Sequence, residues 1–102
     1  MSILEVTEGQ QFQSADEEIS YKLTTTNYGS TPTLVSVKAY DDNTGRDVTA
    51  TVFPTNTPTV LGDVITLSPL KALIKGYIYR IEIKFTAGSN IWEPYFKVKC
   101  EV

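Results

Sequence analysis

Residues 73–85, LIKGYIYRIEIKF, decide the fold. From Tyr77 onward the stretch alternates. Tyr77, Tyr79, Ile81, Ile83 and Phe85 fall on one side, and Arg80, Glu82 and Lys84 on the other. A period of two belongs to an extended strand, and no helical template fits the run as well. After TAGSN, where Gly88 and Asn90 supply turn chemistry, the pattern resumes. Trp92, Phe96, Val98 and Cys100 share one side there, and Glu93, Tyr95, Lys97, Lys99 and Glu101 the other. The two runs predict a hairpin with one apolar and one charged face, which is half of a sandwich.

Earlier segments carry the same signal. Ile19, Tyr21 and Leu23 alternate with Glu18, Ser20 and Lys22, and Val35, Val37 and Ala39 with Leu34, Ser36, Lys38 and Tyr40. The loop DDNTG follows, and then a short strand is expected near residues 47–53. TVLGDVITL reads as a second hairpin, with Gly62-Asp63 as a two-residue II′ turn that pairs Val60 with Ile65 and turns both to the core with Leu67. LSPLKALIKGY, with Pro69 near its start and Gly76 at its end, reads as a connecting turn. The order of Leu73, Gly76 and Tyr79 suits a tyrosine corner, in which a tyrosine hydroxyl bonds back across the connection in immunoglobulin (Ig)-like sandwiches. The expected fold is therefore all-β: an Ig-like antiparallel β-sandwich of about seven to eight strands over residues 15–102. A polar N-terminal arm or edge strand, residues 1–14, precedes it.

Composition bounds what such a domain can do. A chain of 102 residues is one domain's worth, able to bury roughly 60–70% of its unfolded surface. Net charge is −3 and the pI about 4.8, so no nucleic-acid partner is expected. The sequence has no histidine, which removes the commonest general base and the commonest zinc ligand. Cys100 is the single cysteine and can form no internal disulfide. No run approaches the ~20 apolar residues of a membrane span, and MSILEVTEGQQF lacks the features of a secretory signal. Neither a membrane partner nor secretion is expected.

The candidate sites all have plainer readings. Counted from Asp41, the loop DDNTGRD has Gly45 and Arg46 where a calcium loop wants an Asx and a glycine, so it reads as a turn. Asp16-Glu17-Glu18 lacks a second carboxylate in an apolar setting and reads as solvated. Cys100 shares a face with Phe96 and Val98 and reads as core, with no histidine to activate it. Trp92 with Tyr95, Tyr28 or Tyr40 could form a sugar platform, but Trp92 reads first as core. TAGSN has neither the spacing nor the lysine of a phosphate loop. No catalytic, cofactor or metal residue is assigned, and no small-molecule substrate is expected.

DVTATVF, GDVITLSPLKAL and GYIYRIEIKFTAGSNIWEPYFKVKCE together resemble small Ig-like virion proteins of tailed bacteriophages, over residues 35–102. That family has an Asp-Val-Thr strand, a Gly-Asp hairpin, a Leu-x-x-Gly-x-x-Tyr corner and a final hairpin rich in Tyr, Arg and Glu. The resemblance implies a non-enzymatic capsid decoration (cement) protein binding capsomer junctions, or alternatively a neck or tail adaptor. It implies the major capsid protein or neck and tail proteins as partners, a homo-oligomer, and a place in the virion after assembly in the host cytoplasm. A carbohydrate- or receptor-binding Ig-like module is the competing reading. Docking is expected at Ile3, Leu4, Val6 and Phe12 of the arm, which should be removable without unfolding the domain. Tyr28, Tyr40 and Tyr95 are expected as further anchors, since tyrosine buries much area at small entropic cost.

Overall fold

A computed structural model describes residues 4–5, 11–25 and 31–101. Two sheets enclose one core. The larger holds β1 (Leu4–Glu5), β2 (Gln11–Gln13), β4 (Thr33–Asp41), β7 (Ile78–Ala87), β8 (Asn90–Trp92) and β9 (Pro94–Cys100). The smaller holds β3 (Lys22–Thr24), β5 (Thr59–Leu61) and β6 (Val64–Thr66). One helical turn, α1 (Thr49–Val52), lies between β4 and β5. β8 and β9 continue a single register along β7, from Ala87↔Asn90 to Ile78↔Lys99, and β1 and β2 both run beside β9. The order β3-β6-β5 over β9-β7-β4 is that of an Ig-like sandwich.

The alternation in β7 is complete. Tyr79, Ile81, Ile83, Phe85 and Ala87 are buried, while Arg80, Glu82, Lys84 and Thr86 lie on the other face. Facing residues Leu23, Ile65 and Leu67 close the core from the smaller sheet, and Val52, Leu70 and Leu73 fill it from the connections. Trp92 packs against this cluster rather than standing on the surface. Both hairpin turns need a backbone that L-residues resist. Gly62 (φ 59°) and Gly88 (φ 63°) each take the first turn position, with Asp63 and Ser89 following at ordinary φ, as in a II′ turn. The tyrosine corner is present: the Ile74 N–H donates to the Tyr79 hydroxyl at 2.8 Å, from five residues upstream. Burial holds that hydroxyl above the usual tyrosine pKa, and the Ile74 amide draws it partly back.

Three expectations are corrected. The sandwich is not wholly antiparallel, because β1 and β2 pair parallel to β9. Parallel neighbours need a long connection, and here it is the domain itself. Residues 47–53 contain a helical turn in place of a strand. Their β-branched residues favour extension, but helical backbone at Thr49 brings its hydroxyl to β4 and buries Val52 and Phe53. Val60 does pair with Ile65, yet it is exposed on the edge while Ile65 is fully buried. β5 is the outermost strand of the smaller sheet, so less of the opposing layer covers it.

Two edges are managed by polar contacts. Along β4, the Asp41 N–H donates to the Arg46 carbonyl and the Val48 N–H to the Ala39 carbonyl, each at 2.9 Å. The Thr49 hydroxyl accepts from the Ala39 N–H (2.9 Å), and Asn56 Nδ2 donates to the Val37 carbonyl (2.9 Å). From the Val37 carbonyl to Asp41, then, the outward-facing groups have internal partners. On the opposite side of the sheet Gln13, only 2% exposed, binds β2 into the interior. Its Nε2 donates to the carbonyls of Leu70 (2.6 Å) and Glu17 (2.9 Å), and its Oε1 accepts from the Tyr21 hydroxyl (2.9 Å).

Tyr21 also packs on Phe96, with ring centroids 5.2 Å apart. Desolvation, with a smaller push from Glu17, raises its pKa to about 12. The neutral phenol is thus the form the fold prefers. Its contribution is whole below pH 10, where the unfolded chain also keeps the proton, and is lost as pH climbs from 10 through about 12. Denaturant midpoints measured between pH 9 and pH 12 should fall. Tyr21→Phe should flatten that decline, and an equally steep profile in the variant would rule Tyr21 out as its source.

Candidate interaction face of the large sheet

The outward face of β9-β7-β4 is built by the charged half of the alternation. Register sets Lys38, Glu82 and Tyr95 in one row, and Tyr40, Arg80 and Lys97 in the next. Ser36 faces Lys84 beyond them. Cross-strand neighbours on one face stand close enough to interact, and along β7 the outward charges alternate in sign through Arg80, Glu82 and Lys84. Arg80 Nε lies 3.0 Å from Glu82, and Asp42, just past β4, bridges Arg80 (3.9 Å) and Lys97 (3.2 Å). The Arg80 guanidinium lies 5.6 Å from the centroid of the Tyr40 ring, a cation–π arrangement. Ser36, Lys38, Tyr40, Glu82, Lys84 and Glu93 line a shallow depression of about 300 Å³ on this face.

Of the residues expected to dock, Tyr40 and Tyr95 both belong to this face, half-buried one strand to either side of β7. Phe12 pairs with Lys99 at the sheet's β9 side and is 57% exposed. Since the flanking Gln13 points inward, Phe12 points outward, so the arm carries this aromatic to the rim of the same face. Leu4 lies in β1 beside Pro94. Ile3, Val6 and Tyr28 lie outside the described residues. Sequence reading had the anchors but not their convergence, because the pairing of β2 with β9 has no short-range signal.

The Asp41 loop and Cys100 also have clear placements. Asp41 is buried, its Oδ1 accepting from the Asn43 N–H (3.0 Å) and its carbonyl from the Gly45 N–H (2.7 Å), so its oxygens serve the turn. Beside that turn a groove of about 460 Å³ runs between Arg46, Val48, Ile74, Tyr77 and Tyr79. Cys100 is fully buried. Among the described residues no three or more His, Cys, Asp or Glu side chains group as metal ligands, and no helix is long and apolar enough to cross a membrane. What the outer face offers chemically is contact: alternating charges held in register, with aromatic rings between them and at the rim.

The comparisons with known proteins add no relative. No family model matches the chain, and neither does a curated protein or a solved structure.

Proposed function

We propose that this chain is a non-enzymatic structural protein of a tailed-bacteriophage virion, acting as a capsid decoration protein that docks on capsomer junctions through the outer face of its large sheet. The observation that carries the reading is the convergence of Tyr40 and Tyr95, with Phe12 at the rim, on one charge-laddered face. Half-buried tyrosines beside ordered ion pairs are the composition of protein-contact surfaces, where aromatic anchors supply area and charges set register. The motif resemblance supplies the virion context, and the Tyr79 corner on which it partly rests is formed. On this reading the partner is the major capsid protein, and the domain acts as a rigid clamp.

The test is immunogold labelling of virions from the phage whose genome encodes the chain. Label over the head surface is expected. Label confined to the neck or tail would move the protein to an adaptor role, and unlabelled virions would overturn the proposal. In a binding assay on heads lacking the protein, Tyr40→Ala with Tyr95→Ala should lose at least tenfold in affinity, as truncated aromatic anchors do.

A further inference from the structure

The charges of this chain are unevenly placed. The outward residues of β4, β7 and β9 include five cations, Lys38, Arg80, Lys84, Lys97 and Lys99, and a single anion, Glu82. The rest of the chain holds four cations against eleven carboxylates. A protein of net charge −3 thus sets more than half of its cations on one sheet face. Acidic residues stand at the margins: Asp42 just after β4, Glu93 just before β9 and Glu101 just after it. Glu5 pairs with Tyr95 from the flanking β1. The face is cationic within an acidic rim.

Some of these cations are engaged within the fold. Glu82 and Asp42 hold Arg80, and Asp42 also holds Lys97. Lys38, Lys84 and Lys99 form no ion pair among the described residues. Lys38 faces Glu82, which Arg80 already holds, and Ser36 faces Lys84. The two lysines are therefore diagonal neighbours across β4 and β7, where like charges repel and lend the fold nothing. Both are exposed, and with Ser36 and Tyr40 they line the depression described above. Two ammonium groups beside a hydroxyl donor suit a carboxylate.

We infer that the surface which docks on this face is acidic: a compact protrusion of a partner protein whose carboxylates are received by Lys38, Lys84 and Lys99. This rests on the docking reading above and names the chemistry of what docks. Charge complementarity selects the occupant. A second copy related by a two-fold axis would bring the same cations against these. A duplex or an anionic bilayer presents an unbroken field of phosphate, which would also cover Glu82 in the middle and Asp42, Glu93 and Glu101 at the rim. A protein protrusion can end inside that rim.

Binding to heads lacking the protein should weaken about tenfold as sodium chloride rises from about 0.05 to 0.5 M, chiefly through slower association. Lys38→Glu with Lys84→Glu, both at exposed positions and checked for native melting, should cost about tenfold or more. Lys22→Glu, a charge reversal on the smaller sheet, should stay within about twofold. Loss of binding in Tyr40→Ala with Tyr95→Ala, but none in the lysine reversals, leaves the docking face in place and overturns the acidic partner. An equal loss in Lys22→Glu also overturns it, by reducing the effect to net charge. If heads bind none of the protein, the docking reading fails, and amide NMR titration with a hexaglutamate peptide still decides the chemistry. Shifts gathered at residues 36–40, 80–84 and 95–99 support an acidic ligand; scattered or absent shifts overturn it. A stronger response of this face to oligodeoxythymidine or to phosphatidylserine vesicles would assign it to nucleic acid or to a membrane and equally overturn it.

Discussion

Ile81→Asp is expected to abolish the folded state. Ile81 is 0% exposed and sits in the middle lane of the large sheet, paired with Ala39 on one side and Phe96 on the other. An unpaired carboxylate there costs about 3–5 kcal/mol, and the lost aliphatic packing about 2–5 kcal/mol more. A domain of this size has roughly 5–15 kcal/mol in all. The variant should show no cooperative melting at neutral pH. Partial recovery is expected on acidification, since burial favours the protonated acid. Lys84→Ala, three residues along the same strand but on the exposed side, should stay within ~0.5 kcal/mol of the parent. A soluble Ile81→Asp protein with an unchanged transition would show that β7 does not face as described.

Removing residues 1–13 is the second large effect. From the sequence the polar arm was expected to come away without harm. Gln13 argues otherwise, because its amide is inserted among Leu70, Glu17 and Tyr21. Leu70 keeps a second donor in the Ile19 N–H, but the Tyr21 hydroxyl and Glu17 carbonyl lose the partners described above. Each buried group so orphaned costs about 1–3 kcal/mol. β9, stripped of β2, also becomes an open sheet edge. Together these should lower the melting temperature by on the order of 10–20 °C. Removing residues 1–9 keeps Gln11–Gln13 and should cost far less, so the shorter deletion is the proper probe of docking by Ile3, Leu4 and Val6. Melting of the 1–13 deletion within 2–3 °C of the parent would deny Gln13 its structural role.

What the sequence revealed divides along the range of the interactions. The facing of β7 follows from alternation, which is local, and every residue from Ile78 to Phe85 obeys it. The Gly62-Asp63 turn and the Tyr79 corner follow from short spacings and were equally legible. The arm was not, because parallel pairing of residues 11–13 with 98–100 joins parts of the chain too far apart for any short-range pattern. Gln13 looked solvated for the same reason: its partners are remote. The turn at Thr49–Val52 was misread because tertiary contacts with β4 override the β preference of Val and Thr. Of the candidate site, the residue types could be named beforehand, and the face that unites them could not.

The sealed margin of β4 bears on behaviour at high concentration. An extended chain seeking to add itself there would find the main-chain donors and acceptors from the Val37 carbonyl to the Asp41 N–H already taken by Arg46, Val48, Thr49 and Asn56. Ladder growth into fibrils is thereby denied its longest template. A chain crowded at many copies into one place can stay as discrete units instead of fusing into cross-β polymer.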